Sequence, residues 1–304
     1  MKPWKTSRLR GAKISIVGCG DVGERLLALL SNSPQAQLGC IAVGRRRPDV
    51  PVIADKPSNH RRFISADLDD RHSLKRIPKL APWLVYLAPP PATGTLDSRM
   101  KHFLAAALTV PKRAQRCVYV STTGVYGAAQ GAWVTETSPL KPTELRGLRR
   151  IDAENRLKQS NISTVIILRA PGIYARERLP IDRIQKGLPA FIAAHDVPTN
   201  HIHAHDLARL CWLGLFRGRN RRSYNAADGL PMMHADYLSA VAHTLGLQAP
   251  PRLPREQVQA ALSPVAWSML AGARRVSSER LHSEWGVRLR YPSMTAFLQG
   301  LRAP

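Results

Sequence analysis

The chain contains 304 residues, of which 44% are hydrophobic and 22% are charged. This length suffices for one large domain or two modest ones, and the composition excludes a disordered chain. Lysine and arginine number 45 and aspartate and glutamate number 21, which gives a formal net charge of +24. Such an excess favours anionic ligands such as nucleotides, phosphates, nucleic acid or acidic membrane surfaces, but it does not predict a fold.

No apolar run reaches the ~20 residues that a bilayer-spanning helix requires. The basic segment 1–12 lacks the apolar centre of a secretory signal, so we expect it to form a solvated tail and expect no membrane partner. The cysteines are far apart and form no C-x-x-C pair, which predicts free thiols in a reducing compartment, the cytoplasm. They are Cys19, Cys40, Cys117 and Cys211.

The beginning of the chain predicts a strand, a glycine turn, a helix and a second strand. The β-branched segment 13–17 is followed directly by G-C-G-D-V-G at 18–23. Leucines recur at helical spacing over 24–30, and the apolar segment 38–43 ends at a run of arginines. This order is a βαβ unit, which implies a parallel sheet with helices on both faces.

The alternation of strands and helices continues along the chain. Apolar segments predict buried strands at 62–65, 83–88, 117–121 and 164–168, and helical spacing predicts helices at 97–108 and 148–158. Further on we expect a strand over His201–His205 and a helix over Asp206–Phe216, with Asp206 as its N-cap. Beyond Asp228 we expect helices punctuated by prolines.

The glycine turn has the G-x-G-x-x-G pattern of a dinucleotide site in the strand–turn–helix context that gives this pattern meaning. The glycines permit a tight turn and a close approach to a pyrophosphate, and the helix N-terminus offers N–H groups to the phosphates. A glycine-rich turn without a ligand is the alternative. The residues expected to bind are Gly18, Cys19, Gly20, Asp21, Val22 and Gly23.

The residues after the second strand predict which cofactor is bound. NAD sites usually carry Asp or Glu about 20 residues beyond the glycines, where it accepts from the ribose 2′-hydroxyl. Here Gly44 is followed by Arg45, Arg46 and Arg47. Because an arginine fork suits a 2′-phosphate, Arg45 and Arg46 favour NADP(H) over NAD(H). The alternative is a solvated basic loop.

V-Y-V-S-T-T-G-V-Y-G at 118–127 resembles the S-S/T-x-x-V-Y-G strand end of extended short-chain dehydrogenases/reductases, the NAD(P)-dependent epimerase/dehydratase family. L-R-A-P-G-I-Y at 168–174 and I-H-A-H-D-L-A at 202–208 are similar to two later family segments. The matches follow the family's order along nearly the whole chain.

This resemblance implies an α/β fold with a doubly wound parallel-sheet Rossmann domain and a smaller, mostly helical substrate-binding lobe. The Rossmann domain would comprise 13–170 plus 201–227, and the lobe 171–200 plus 228–304. Substrate would be held between them, at the carboxyl ends of the strands.

The resemblance also implies further cofactor contacts and a reaction. Asp67 and Leu68 match the D-L turn near the adenine, and Leu87, Ala88 and Pro89 match a strand end beside the nicotinamide ribose. The implied reaction is hydride exchange between the nicotinamide and a carbinol or carbonyl carbon, with nucleotide sugars as an example of the substrate class.

The chain departs from the family at its Tyr-x-x-x-Lys pair. In the family the tyrosine moves the hydroxyl proton and the lysine lowers the pKa of that tyrosine. The matching positions hold Arg146 and Arg150. Arginine stays protonated near neutral pH and is no general base. Thr122 matches the Ser/Thr that orients the substrate oxygen, but a hydroxyl alone does not replace the tyrosine.

Three interpretations of this departure remain open. Another group supplies the proton, with Tyr174, Glu136, Asp152 and His203 as candidates, or solvent does. Alternatively, the two arginines, four residues apart on one helix face, bind an anionic substrate or a developing oxyanion. In the third, catalysis is lost and the protein is an NAD(P)-binding sensor or scaffold. A solvated basic helix face is the structural alternative for the arginines.

Other features have simpler explanations. Three histidines at 201, 203 and 205 would share one strand face, but no cysteine or carboxylate with ligand spacing supports a zinc site, and we expect no metal. Cys19 at a helix N-terminus could have a lowered pKa, although a tolerated small residue is simpler. The basic residues are spread along the chain, so nucleic acid is not expected.

We expect a monomer or homodimer that takes a small-molecule substrate.

Overall fold

The computed structural model describes residues 13–31, 39–48, 61–107 and 115–302. The predicted tail 1–12, and the predicted element ends at Leu38 and Leu108, lie outside these residues. The chain forms two compact units. The first comprises Met1–Ser121, Leu148–Leu168 and Leu207–Ser223, and the second Thr122–Gly147, Arg169–Asp206 and Tyr224–Pro304.

The strands follow the predicted alternation in the first part of the chain and become short beyond it. They are β1 (Lys13–Val17), β2 (Gly39–Gly44), β3 (Arg61–Ser65), β4 (Trp83–Tyr86), β5 (Arg116–Thr122), β6 (Trp133–Val134), β7 (Thr164–Ala170), β8 (Gly172–Tyr174), β9 (Ala190–Phe191), β10 (Pro198–Thr199), β11 (His201–His203), β12 (Arg222–Asn225), β13 (Met232–Met233), β14 (Arg252–Leu253) and β15 (Arg275–Val276).

The helices of the described residues fall between these strands and dominate the last part of the chain. They are α1 (Asp21–Ser31), α2 (Ser98–Ala107), α3 (Leu145–Gln159), α4 (Ile181–Gln185), α5 (Ala204–Arg217), α6 (His234–Thr244), α7 (Arg255–Ala261), α8 (Pro264–Ala271), α9 (Glu279–Trp285) and α10 (Met294–Arg302).

The first unit is built on a seven-stranded sheet with the order β12-β7-β5-β4-β1-β2-β3. The pairs β1–β2, β1–β4, β2–β3 and β4–β5 are parallel. The sheet reverses its direction of growth beside β1, which is the switch point at which open α/β sheets bind ligands. The predicted fold class, a doubly wound parallel sheet with helices, is confirmed.

The inner strands of the sheet are mostly apolar, as expected of strands buried between helices, whereas the edge strands β3 and β12 are mostly polar. Ile14 and Ile16 of β1 are buried, as are Ile166 and Ile167 of β7. On one face Tyr86, Phe103, Leu157 and other side chains form one continuous cluster between the sheet and α2 and α3. This cluster holds the strand ends of the first unit in fixed positions.

The second unit contains short strand pairs and most of the late helices. β8 pairs with β11, β9 with β14 and β6 with β15 in parallel, and β10 pairs with β13 antiparallel. One of its core clusters contains Tyr174, Leu238, Met294 and Phe297.

The predicted boundary between the histidine strand and the next helix is wrong. The strand ends at His203 and α5 begins at Ala204. Asp206 is therefore inside the helix and is not its N-cap. Its carboxylate instead accepts hydrogen bonds from the backbone N–H groups of Arg290 and Tyr291, at 2.9 and 2.8 Å. The Asp206 side chain, which the sequence suggests as a helix cap, instead binds the segment that precedes α10.

We predict that Asp206→Ala lowers the free energy of unfolding by about 2–4 kcal/mol, because two backbone N–H groups lose their buried, charged acceptor. Chemical denaturation followed by circular dichroism measures this loss. Asp182→Ala, which removes an exposed carboxylate from the first turn of α4, is the control and should change the stability by less than about 0.5 kcal/mol. Equal stability of the two variants would contradict the role of Asp206.

Candidate functional site

The ends of four adjacent strands meet at the carboxyl edge of the sheet in the first unit. The backbone N–H of Gly18 donates to the Val43 carbonyl at 2.9 Å, and that of Leu87 donates to the last carbonyl of β1 at 2.8 Å. The N–H of Ala66 donates to the last carbonyl of β2 at 3.1 Å. The structure therefore brings the glycine turn, the arginine run, the D-L turn and the end of β4 to one edge.

The three glycines of the turn meet three different environments. Gly18 has a φ of +82°, and a Cβ there would lie 2.4 Å from the backbone N of Ala88. A Cβ on Gly20 would meet nothing within 4 Å, whereas one on Gly23 would lie 3.1 Å from the Sγ of Cys19. The first glycine thus makes the turn, the second leaves the backbone open and the third lets α1 pack closely. Those are the three roles of the glycines in a dinucleotide-binding turn.

The side chains of the other turn residues are buried or bonded to neighbouring residues. Burial, followed by the charge of Glu24, raises the pKa of the Cys19 thiol to about 12. The lowered pKa considered for this thiol is therefore wrong. The Asp21 carboxylate accepts a hydrogen bond from Nε of Arg25 at 2.7 Å. Val22 is half-buried at the start of α1. The open surface of the turn is therefore mainly backbone.

Arg45, Arg46 and Arg47 follow β2 and all three are exposed. The Asp67 turn lies after the neighbouring strand β3. There Asp67 donates its N–H to Ser73 Oγ at 2.9 Å, and its Oδ1 accepts from the N–H of Asp69 at 3.0 Å. These bonds hold the turn in one conformation beside the arginines.

Arg99 connects two of the strand ends and was not predicted from the sequence. Its Nε and Nη2 donate to the Asp69 carboxylate at 2.8 and 2.5 Å, and its Nη1 donates to the Pro89 carbonyl at 3.1 Å. These hydrogen bonds, with a smaller contribution from the charge of Arg45, lower the pKa of Asp69. In a chain with so many arginines, no sequence signal distinguishes this one.

The two arginines that the sequence analysis matches to the Tyr-x-x-x-Lys pair have different surroundings. Arg146 is exposed, whereas Arg150 is only 6% exposed. Arg150 Nη1 donates to the hydroxyl of Tyr119 at 2.9 Å and to the carbonyl of Val120 at 3.0 Å. Burial raises the pKa of Tyr119 to about 12 in spite of Arg150. This phenol therefore stays neutral near pH 7, and the solvated-face explanation does not hold for Arg150.

In the second unit, Thr122 ends β5 and begins a short helical turn. Its Oγ1 accepts from the N–H of Gly124 at 3.1 Å. Tyr126, in the same turn, donates its hydroxyl to Asn225 Oδ1 at 2.7 Å and accepts from Arg169 Nη1 at 3.0 Å. The turn that carries Thr122 is thus held by a buried hydrogen-bonded network.

Tyr174 is 2% exposed, and its hydroxyl has no hydrogen-bond partner among the described residues. Burial, followed by the charge of Asp228, raises the pKa of Tyr174. This is the opposite of the lowered pKa that a tyrosine base requires. As a neutral phenol, Tyr174 is able to donate a proton or a hydrogen bond.

The other candidates for the acid or base are engaged in structural contacts. Glu136 Oε1 accepts from the N–H of Asn225 at 2.8 Å. Asp152 Oδ2 accepts from Nε of Arg156 at 2.7 Å. The ring of His203 stacks on Tyr291 with 3.7 Å between ring centroids.

Asp228 was not identified from the sequence as a site residue. Its Oδ1 accepts from the N–H of Leu230 at 3.2 Å, and its Oδ2 is buried with no partner among the described residues. Burial raises the pKa of Asp228 to about 7. Nearby, burial lowers the pKa of His201 to about 4. The second unit thus contains a carboxyl group that titrates near neutral pH.

Within the part of the chain that the structure describes, no cluster of three or more His, Cys, Asp or Glu side chains is arranged to hold a metal ion. None of the helices described here has the length and apolar character needed to span a bilayer.

No family model matches the chain. Protein YeeZ of Escherichia coli strain K12 is 29% identical over 250 residues, which are 78% of this chain and 85% of that protein.

Three solved structures share the fold. A conserved protein of unknown function from Silicibacter pomeroyi is 26% identical with a TM-score of 0.77, covering 96% of this chain and 98% of that one. A Methylobacillus flagellatus protein, named as an NAD-dependent epimerase/dehydratase, is 25% identical with a TM-score of 0.68, over 95% and 97% of the two chains. The human epimerase family protein SDR39U1, solved with NADPH, is 18% identical with a TM-score of 0.74, over 95% and 99%.

We predict that Asp228 makes the stability of the protein fall as the pH rises towards 7. The pKa of about 7 in the folded chain exceeds the ordinary value of about 3.9, so the folded state holds this proton more tightly than the unfolded state. The resulting loss of stability accumulates between about pH 4 and pH 7 and is then complete.

Asp228→Asn should therefore be more stable than the unmodified protein by at least about 1 kcal/mol at pH 8, and by less at pH 5. Urea denaturation at the two pH values measures the difference. The buried histidines are present in both proteins, so the comparison isolates Asp228. An equal gain at both pH values would show that the carboxyl group does not titrate in this range.

Proposed function

We propose, on the premise that the chain belongs to the epimerase/dehydratase group of extended short-chain dehydrogenases/reductases, that it binds NADP(H) at the carboxyl edge of its sheet. In this proposal it catalyses hydride exchange with a carbinol or carbonyl group of a small, anionic, nucleotide-sugar-like substrate. The observation that carries the cofactor proposal is the arrangement of Gly18, Gly20 and Gly23 at the start of α1.

The turn has the chemistry that a pyrophosphate requires. Gly20 has open space where a Cβ would stand, and its position directly before α1 exposes backbone N–H groups at the positive end of the helix dipole. Asp67 and Leu68 would lie beside the adenine, and Leu87, Ala88 and Pro89 beside the nicotinamide ribose. The cofactor, when bound, supplies or accepts the hydride.

The choice of NADP(H) rests on the end of β2. Arg45 and Arg46 are exposed there, and no carboxylate occupies the position that would accept from a ribose 2′-hydroxyl. The carboxylate of Asp69, after the neighbouring strand, is engaged by Arg99 at 2.5 Å. Arg45 and Arg46 are therefore the groups offered to a 2′-phosphate.

For the reaction, we assign Thr122 the role of a hydrogen-bonding group for the substrate oxygen and Arg146 that of a cation for an anionic substrate. Arg150 is held in the interior by Tyr119 and Val120, which suits a fixed positive charge but not proton transfer. Tyr174 is the neutral proton donor if a side chain supplies the proton; otherwise solvent supplies it.

The second candidate function is an NAD(P)-binding sensor or scaffold without catalysis. On the proposed alignment the chain lacks both members of the family's proton-transfer pair, which favours a protein without catalysis. Arg150, at the proposed lysine position, is held in the interior and is not a proton-transfer group. Consumption of NADPH in the presence of a panel of carbonyl compounds distinguishes the two functions. Tight cofactor binding without turnover across the panel would favour the sensor.

We predict that NADPH binds at least about tenfold more tightly than NADH, since a charge-assisted bidentate bond contributes about 1.5–3 kcal/mol. Arg45→Ala should weaken NADPH binding by about tenfold and leave NADH binding unchanged, as measured by fluorescence titration at ~0.15 M salt. Lys186→Ala, an exposed charge of the second unit, is the control. An equal loss for both dinucleotides would contradict the role of Arg45.

We predict that Gly20→Ala weakens binding of both dinucleotides by about tenfold or more, because the added methyl group enters the space proposed for the phosphates. Its thermal unfolding midpoint should stay the same, since the methyl group meets no atom of the chain within 4 Å. Gly300→Ala adds a methyl group at another open position and is the control. Unchanged binding by Gly20→Ala would place the cofactor elsewhere.

A further inference from the structure

A cavity of the first unit is lined by residues other than those proposed to bind the dinucleotide. Its volume is about 510 Å³, and it opens between residues 71–75 and helix α2. Small-molecule pockets in proteins have volumes of roughly 300–1,000 Å³. None of the residues assigned above to the cofactor or the substrate lines this cavity.

The walls of this cavity combine an apolar floor with a cationic rim. Leu74, which is buried, contributes to the floor, and Ala105 and Ala106 line the side formed by α2. Lys75 and Lys101 line the cavity as well, and both are exposed at its opening. Among the residues that the structure describes, no carboxylate lines the cavity.

Arg71 and His102 form a fixed pair on the same rim. Nη2 and Nε of Arg71 lie 3.2 and 3.4 Å from Nε2 of His102. Because arginine only donates, His102 Nε2 accepts and the ring carries its proton on Nδ1. The guanidinium group has five N–H donors, so these contacts leave others for an anion.

The two carboxylates that directly precede Arg71 in the chain are engaged by other groups. Asp69 is bound by Arg99 through two hydrogen bonds. Asp70 Oδ1 accepts from the N–H of His72 at 2.9 Å. The cationic side chains of the rim therefore face the cavity without a paired acid among its lining residues.

We propose that this cavity binds a small anionic amphiphile, in which an aromatic or aliphatic body lies on Leu74 and the alanines. Its carboxylate, sulfonate or phosphate group contacts Arg71, Lys75 and Lys101. The apolar body explains why the floor carries no polar side chain, and the anion explains the one-sided charge of the rim. This site is independent of the proposed function, because the two sites share no residue.

The test uses 8-anilinonaphthalene-1-sulfonate, a fluorescent anion with an aromatic body, and the full chain at ~0.15 M salt, where exposed charges are screened beyond ~8 Å. Excess NADPH is added to cover the dinucleotide site. We expect saturable binding that NADPH does not displace. The uncharged analogue N-phenyl-1-naphthylamine should bind at least about tenfold more weakly, since it lacks the anion that the rim recognises.

Two variants locate the site. Lys75→Glu/Lys101→Glu should weaken binding of the sulfonate by about tenfold or more, while Lys141→Glu/Lys186→Glu, an equal change of charge at exposed positions of the second unit, should not. Ala105→Phe fills the cavity from an exposed helix position and should abolish binding. Circular dichroism checks that each variant folds, and Lys75→Gln/Lys101→Gln replaces the reversed pair if that pair does not fold.

Equal affinity of the two charge-reversed proteins would overturn the proposal. So would equal affinity for the charged and the uncharged probe, or undiminished binding by Ala105→Phe. Displacement of the sulfonate by NADPH would assign the probe to the dinucleotide site and would likewise overturn it.

Discussion

The backbone of Gly18 approaches the backbone of Ala88 so closely that no side chain fits between them. This contact brings the end of β1 against the end of β4, while Val43 at the end of β2 accepts the N–H of Gly18 from the other side. The first strand is thus fixed between its two neighbours at the switch point of the sheet. Because the turn begins at this fixed point, the backbone at Gly20 is left open and α1 packs closely at Gly23.

Arginine has structural roles in this basic chain, beside the ligand-binding roles proposed for Arg45 and Arg46. Arg99 joins the Asp69 turn to the end of β4, and Arg150 joins α3 to the interior of β5. Arg169 supports the turn that carries Thr122 through Tyr126. Each donates to carbonyl, carboxylate or phenol oxygens within the fold. The net charge therefore overstates how many cations are offered to ligands.

The fold could be predicted because its signals are local. β-branched runs, helical spacing and the glycine turn are read within about 20 residues of sequence, and they yield the parallel sheet and the edge at which the cofactor segments meet. The environments of the site residues could not be predicted in this way. Three residues each bond a partner that is distant in the sequence. Asp206 accepts from a backbone N–H group 84 residues away. Arg150 donates to a phenol 31 residues away, and Arg99 donates to a carboxylate 30 residues away. Burial also sets the pKa values of Tyr174 and Asp228, and burial depends on the whole unit.

The central claim is that the glycine edge of the first unit binds NADP(H) through its backbone and its arginines. A crystal structure of the protein grown with NADP⁺ tests it most directly. The account predicts the pyrophosphate against Gly20 and the first turn of α1, with the 2′-phosphate hydrogen-bonded to Arg45. A dinucleotide bound elsewhere, or bound at this edge with its 2′-phosphate directed away from Arg45 and Arg46, would contradict the account.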